Sequence, residues 1–142
     1  MMLKNFLKNP KKIFLVDGFG ALLTTILLFF VLRNFNVFFG LSKDIFEYLS
    51  IIAFTLFVYS ITCYFSIKQN WKSFLKIICA INMFYCLLTF AIILYHYETI
   101  SFFGIIYFLV EIFVITLIVF LEIKLIKQEN VKSEINQNQK TK

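Results

Sequence analysis

Two carboxylic acids stand inside long runs of hydrocarbon side chains. Asp17 lies in VDGFGALLTTILLFF and Glu111 in FGIIYFLVEIFVITLIVFL. Acids at membrane depth are costly, usually face protein, and are functional candidates by default. The chemistry open to Glu111 is gain and loss of a proton, the minimum for a proton-coupled mechanism. The plainer role is that of a neutral carboxyl holding helices together by hydrogen bonds. Asp17 has a plain role of its own. An acid in the first turns of a helix complements the helix dipole, and Lys11 or Lys12 is near enough in sequence to pair with it.

Other polar residues fall in register with these acids. Cys79, Asn82, Cys86, Thr89 and His96 recur at spacings that keep them on one helical stripe, with Ile77, Ile81, Phe84, Leu88 and Ile92 on other faces. Gly104, Tyr107, Glu111 and Ile118 share a second face, which Glu122 carries on to the cytoplasmic edge. Asp17, Gly20, Ala21, Thr24 and Thr25 form a third, with the small residues that allow close helix contact in lipid. Folding the chain back at 96–101 brings Glu111 level with Cys86, and Tyr85 and Thr89 within about one turn, ~5.4 Å. Depth counting sets Thr24 and Thr25 near Glu111, and Asp17 level with Ser60. The candidate intramembrane polar site is therefore Glu111, Asn82, Asp17, Thr24, Thr25, Tyr85, Cys86 and Thr89. Thr55, Tyr59, Thr62 and Ser66 make a further stripe, but hydroxyls in membrane helices commonly bond their own backbone carbonyls.

Enzyme chemistry finds no motif here. There is no C-x-x-C, and Cys79 and Cys86 lie about 10 Å apart along one helix, beyond disulfide reach. Cys63 and Cys79 flank one turn, on a side expected to be reducing. One histidine, His96, provides no metal-ligand spacing. DGFG at 17–20 is too short for a dinucleotide or phosphate loop. The expectation is a protein that is not an enzyme and has no cofactor.

The elements that must position these residues follow from composition. Of 142 residues, 61% are hydrophobic and 15% charged, against about 45–50% and 25% in soluble domains. A domain this small cannot bury that much apolar surface from water. Four runs, at 13–32, 48–67, 77–95 and 102–121, have the roughly 20 apolar residues needed to span a bilayer. The fourth spans despite Glu111. Its sixteen Leu, Ile, Val and Phe residues contribute roughly −5 to −10 kcal/mol, and one central acid costs about +3 kcal/mol. Asp44-Ile45-Phe46-Glu47 reads as a capping box opening the second helix. Short turns make neighbouring helices antiparallel.

The predicted fold is all-α, an integral membrane antiparallel four-helix bundle. Twelve Lys lie on one side of the spans, and only Arg33 and Lys43 on the other. The positive-inside rule then places both termini in the cytoplasm. The expected organisation is a basic amphipathic flank at 1–12, the transmembrane domain at 13–125, and a polar, disordered tail at 126–142. The net charge of +6 suits anionic lipid headgroups on the cytoplasmic side. Expected partners are the lipid bilayer, those headgroups, and a second copy or another membrane protein; nucleic acid is not among them.

The stretches DGFGAL (17–22), KQNWK (68–72), YCLL (85–88) and YFLVE (107–111) resemble a group of small four-span bacterial membrane proteins. The likeness covers roughly residues 10–125. That group has no assigned activity or site residues, so the resemblance implies a bacterial inner-membrane location alone. The sequence supports a non-enzymatic membrane protein that binds a lipid, a small ligand or a membrane-protein partner through its intramembrane polar groups. The alternatives are a small proton- or ion-coupled transporter subunit using Glu111, and a membrane enzyme.

Overall fold

The computed structural model describes residues 11–66 and 70–140, with side chains at 11–66 and 70–131. Most of the expected basic flank, the last residue of the second expected span and residues 68–69 after it lie outside the described residues. Those that are described form helices and turns, with no strand among them. Helix α1 is Lys12–Ile26, continued by a π-helical stretch, Leu27–Leu32. Helix α2 is the short Asn36–Phe39, α3 is Lys43–Ser66, α4 is Trp71–Tyr95, and α5 is Phe102–Lys140. Four helical segments, Lys12–Leu32, Lys43–Ser66, Trp71–Tyr95 and Phe102–Val131, are long and apolar enough to cross a membrane.

Polarity is arranged inside out. Asp17, Ser50, Ser60, Asn82, Thr89, Glu111 and Glu122 are buried, whereas Phe19, Phe30, Phe84, Leu94, Phe113 and Phe120 face outward, each more than 60% exposed. In water so large an apolar surface would drive association. Facing acyl chains, it carries no such penalty.

Two apolar clusters bracket the polar residues. One joins Leu28 and Leu32 of α1's continuation with Phe46 and Leu49 of α3, Tyr85 and Ile93 of α4, and Phe108 of α5. The other joins Ile13 and Phe14 with Cys63, with Leu75 and Ile78, and with Leu125 and Ile126. Asp17, Ser60, Asn82, Glu111 and Glu122 each fall, along their own helix, between the residues that enter the two clusters. Helix α1 lies along α3, and α4 along α5, with sparser contact between the pairs.

The α1–α3 contact passes over Gly18. A Cβ built there would come 3.2 Å from the Cδ1 of Ile61 and 3.5 Å from the Cβ of Ser60. Because the tighter neighbour is a mobile methyl group, Gly18→Ala is expected to change stability by less than about 1 kcal/mol. Unfolding of the two proteins in mixed micelles checks this, and a larger loss would mean that the helices cannot give by a few tenths of an ångström.

One end of the molecule is closed by its loops. Gly40 ends α2 with φ of 73°, and a Cβ there would strike the Thr99 carbonyl oxygen. Beside it the Ser101 N–H donates to the Phe39 carbonyl at 2.9 Å, and the rings of Phe38 and Phe103 stack at 5.0 Å. At the other end Lys72 Nζ donates to Asn130 Oδ1 at 2.8 Å.

Three local expectations change. Helix α3 starts at Lys43, so Asp44 lies in its first turn rather than capping it. Glu47 does not close a capping box either; it pairs with Arg33 Nε at 2.5 Å, because the chain returning from α1 delivers a guanidinium to it. Helix α5 continues to Lys140 through the segment read as a tail. That segment has no Gly or Pro to stop a helix already begun, and it is rich in Glu, Lys and Gln, which are good helix formers.

Candidate functional site

Asp17 is turned inward from α1 and is 4% exposed. Asn82 of α4 donates through Nδ2 to its Oδ1 at 2.6 Å, and Ser60 of α3 donates through Oγ to its Oδ2. Three helices therefore meet on one carboxyl, and both its oxygens are satisfied. Sequence depth alone put Ser60 at this level; its position off the Thr55–Tyr59–Thr62 stripe gave no sign that it was the inward hydroxyl. On that stripe Thr55 and Thr62 are exposed, and each bonds a carbonyl of its own helix, Ile51 and Val58 respectively.

Glu111 of α5 is 7% exposed. Tyr85 of α4 donates through Oη to its Oε1 at 3.0 Å, while Oε2 has no hydrogen-bond partner. Leaving a buried acceptor unmatched costs about 1–3 kcal/mol, and such an atom needs an explanation.

The explanation is an adjacent cavity of about 200 Å³ between the helices. Glu111, Asp17, Asn82, Tyr85 and Thr24 line it, together with Tyr107 and an apolar wall that includes Leu27, Leu56 and Ile118. Leu23, Val110 and Val114 also line it and are exposed on the outside of α1 and α5, so the cavity reaches the lipid-facing side between those helices. Leu27, where the π-helical stretch begins, forms part of the same wall. A single water needs only about 10–15 Å³ of such space, so there is room for several waters or one small molecule.

Of the eight sequence-predicted residues, these first five come together around the cavity. Thr25, Cys86 and Thr89 are not among its lining residues. Thr25 and Thr89 spend their hydroxyls on their own helices, at the carbonyls of Ala21 (2.8 Å) and Tyr85 (2.9 Å). Cys86 is a buried free thiol, as are Cys63 and Cys79.

Glu122 is the residue whose role the sequence understates. It is fully buried, accepts from Cys79 Sγ at Oε2 over 3.1 Å, and leaves Oε1 without a partner. Its spacing of eleven residues from Glu111, three helical turns, was the available signal. Hydropathy hid it, since the apolar run ends at Leu121 while the second core cluster continues to Leu125 and Ile126.

Three acids are thus buried between the helices, and among the described residues no Lys, Arg or His is buried with them. No three His, Cys, Asp or Glu side chains among the described residues are grouped as a metal ion would require. His96 lies apart, half-buried just past the end of α4. What the arrangement offers is carboxyl oxygen beside hydrocarbon. Compared with protein families, curated proteins and solved structures, the chain matches none.

Proposed function

We propose that this is a non-enzymatic multi-pass protein of a bacterial inner membrane that binds a small ligand in the cavity beside Glu111. In this reading the long helices form an antiparallel four-helix bundle with both termini cytoplasmic. The Lys distribution supports the orientation, and the resemblance of its short motifs supports the bacterial setting. The antiparallel arrangement is supported by the core clusters, one of which takes the C-terminal halves of the first and third spans and the N-terminal halves of the second and fourth. The observation that carries the function is the carboxyl oxygen Oε2 of Glu111, buried, unmatched and on the wall of a cavity that meets the lipid face.

Access to that oxygen is directly testable. A small apolar carbodiimide such as N,N′-diisopropylcarbodiimide should enter from the lipid and convert Glu111 to an N-acylurea in the reconstituted protein. Peptide mass mapping should find the adduct at Glu111 and lose it in Glu111→Gln, while a water-soluble carbodiimide should leave Glu111 untouched. An unmodified Glu111, with exposed acids such as Glu98 modified in the same sample, would mean that the cavity is closed to molecules of this size.

A second reading, a proton- or ion-coupled transporter subunit, is favoured by one further observation. Asp17 and Glu111 both line the cavity, and Glu122 lies beyond it toward the opposite core cluster. Buried acids therefore stand at more than one depth.

A further inference from the structure

The ligand-site reading leaves open what the cavity takes, and its unused hydrogen-bonding capacity narrows the answer. Of the donors on its wall, Asn82 Nδ2 and Tyr85 Oη are already committed, to Asp17 and to Glu111, and the hydroxyls of Thr24 and Tyr107 can each give or accept a hydrogen. Asp17 has a donor on each oxygen. The buried carboxyl oxygen left over is Glu111 Oε2, and an incoming N–H would match it. Two acids and no base line the space. Beside an ionised carboxyl a cation is attracted and an anion repelled, so this lining favours a cation. A bare metal ion would ask for a shell of oxygens, whereas most of this wall is hydrocarbon. The volume of about 200 Å³ falls below the roughly 300–1,000 Å³ of sites for drug-sized molecules.

We propose that the cavity binds a small organic ammonium ion, entering from the lipid between α1 and α5, with an N–H on Glu111 Oε2 and its hydrocarbon body against Leu23, Leu27, Leu56 and Ile118. This rests on the ligand-site reading above and specifies its ligand class. An amphiphilic amine suits both halves of the cavity: the ammonium meets acceptor oxygen and negative charge, and the body meets aliphatic side chains. The same molecule partitions into the bilayer, which is the side from which the cavity is reached.

Calorimetric titration of the full chain in mild detergent tests it with three probes of one shape: phenethylamine, phenethyl alcohol and phenylacetate. Protein-free micelles provide the partition baseline. Phenethylamine should bind one molecule per chain, at least tenfold more tightly than the alcohol, and phenylacetate should give no heat above baseline. Glu111→Gln should weaken the amine at least tenfold while helical content by circular dichroism is unchanged. If that variant fails to fold, the amine-to-alcohol ratio on the unmodified chain decides the matter alone. Equal binding of amine and alcohol, tighter binding of phenylacetate, or amine heats equal to the baseline would overturn the ammonium assignment. The carbodiimide experiment separates the two levels: Glu111 modified with no preference for the amine sinks the ligand class only, and Glu111 unmodified sinks the ligand site.

Discussion

Asp17→Ala is expected to destabilise the folded protein by about 2–3 kcal/mol, because it strands two buried donors at once. Asn82 Nδ2 donates to Oδ1 at 2.6 Å, and Ser60 Oγ donates to Oδ2. Ser60 and Asn82 are both buried between the helices. Ser60 can rotate its hydroxyl onto a carbonyl of its own helix, as Thr55 and Thr62 do, and so recover part of the loss. The Asn82 amide can turn back in the same way, as Asn34 does at the Phe30 carbonyl, and the expected figure allows for both recoveries. Interhelical hydrogen bonds in membranes are individually modest, averaging about 0.6 kcal/mol in double-mutant cycles. The expected figure exceeds that average because three helices share one carboxyl. Reversible unfolding in mixed micelles measures it. Asp17→Asn, which keeps an acceptor oxygen for Asn82, should lose distinctly less. A loss below about 0.5 kcal/mol for the alanine variant would place water within reach of both donors.

Glu122→Met is expected to move stability the other way, by about 1–3 kcal/mol, since replacing a buried and imperfectly paired acid with an apolar side chain of similar volume is commonly stabilising. Glu122 is fully buried, its one partner is a thiol at 3.1 Å, and Oε1 has none. A thiol is a weak donor, so the methionine variant strands little when it leaves Cys79 without the carboxylate. The same unfolding assay applies, run beside Asp17→Ala. Opposite signs for two acids of similar burial would separate a carboxyl that holds helices together from one that the fold tolerates. A loss of more than about 1 kcal/mol on Glu122→Met would show instead that this acid is fully matched in the membrane.

The long helices were legible because apolar runs of some 20 residues with one acid or none have few other stable fates. Asn82 and Glu111 were legible as inward residues because lipid reverses the usual meaning of polarity, and a polar atom at depth must find protein; Asp17 read more plainly as a dipole-complementing acid beside Lys11 or Lys12, and its oxygens go instead to Asn82 and Ser60. Tyr85 opposite Glu111 followed from counting turns back from the loop at 96–101. The rest failed for physical reasons that a linear reading does not carry. Glu122 sits beyond the apolar run, and its burial comes from Leu125 and Ile126 packing with residues of α1, α3 and α4. Cys86 and Thr89 share the stripe of Asn82, but a stripe is wider than a cavity wall. The π-helical stretch at Leu27–Leu32 has no Pro or Gly to announce it. Glu47 went to Arg33 because a fold brings partners that a four-residue motif cannot see.

Glu111 and Glu122 are set about 16 Å apart along one helix, roughly half the thickness of the hydrocarbon layer. A monovalent ion passed from the first to the second would therefore fall through about half of the membrane voltage. At 100 mV that is electrical work of about 1 kcal/mol, enough to bias occupancy several-fold toward one end. A charge moved between the two acids, with no equal charge moving back, would make that step sensitive to voltage.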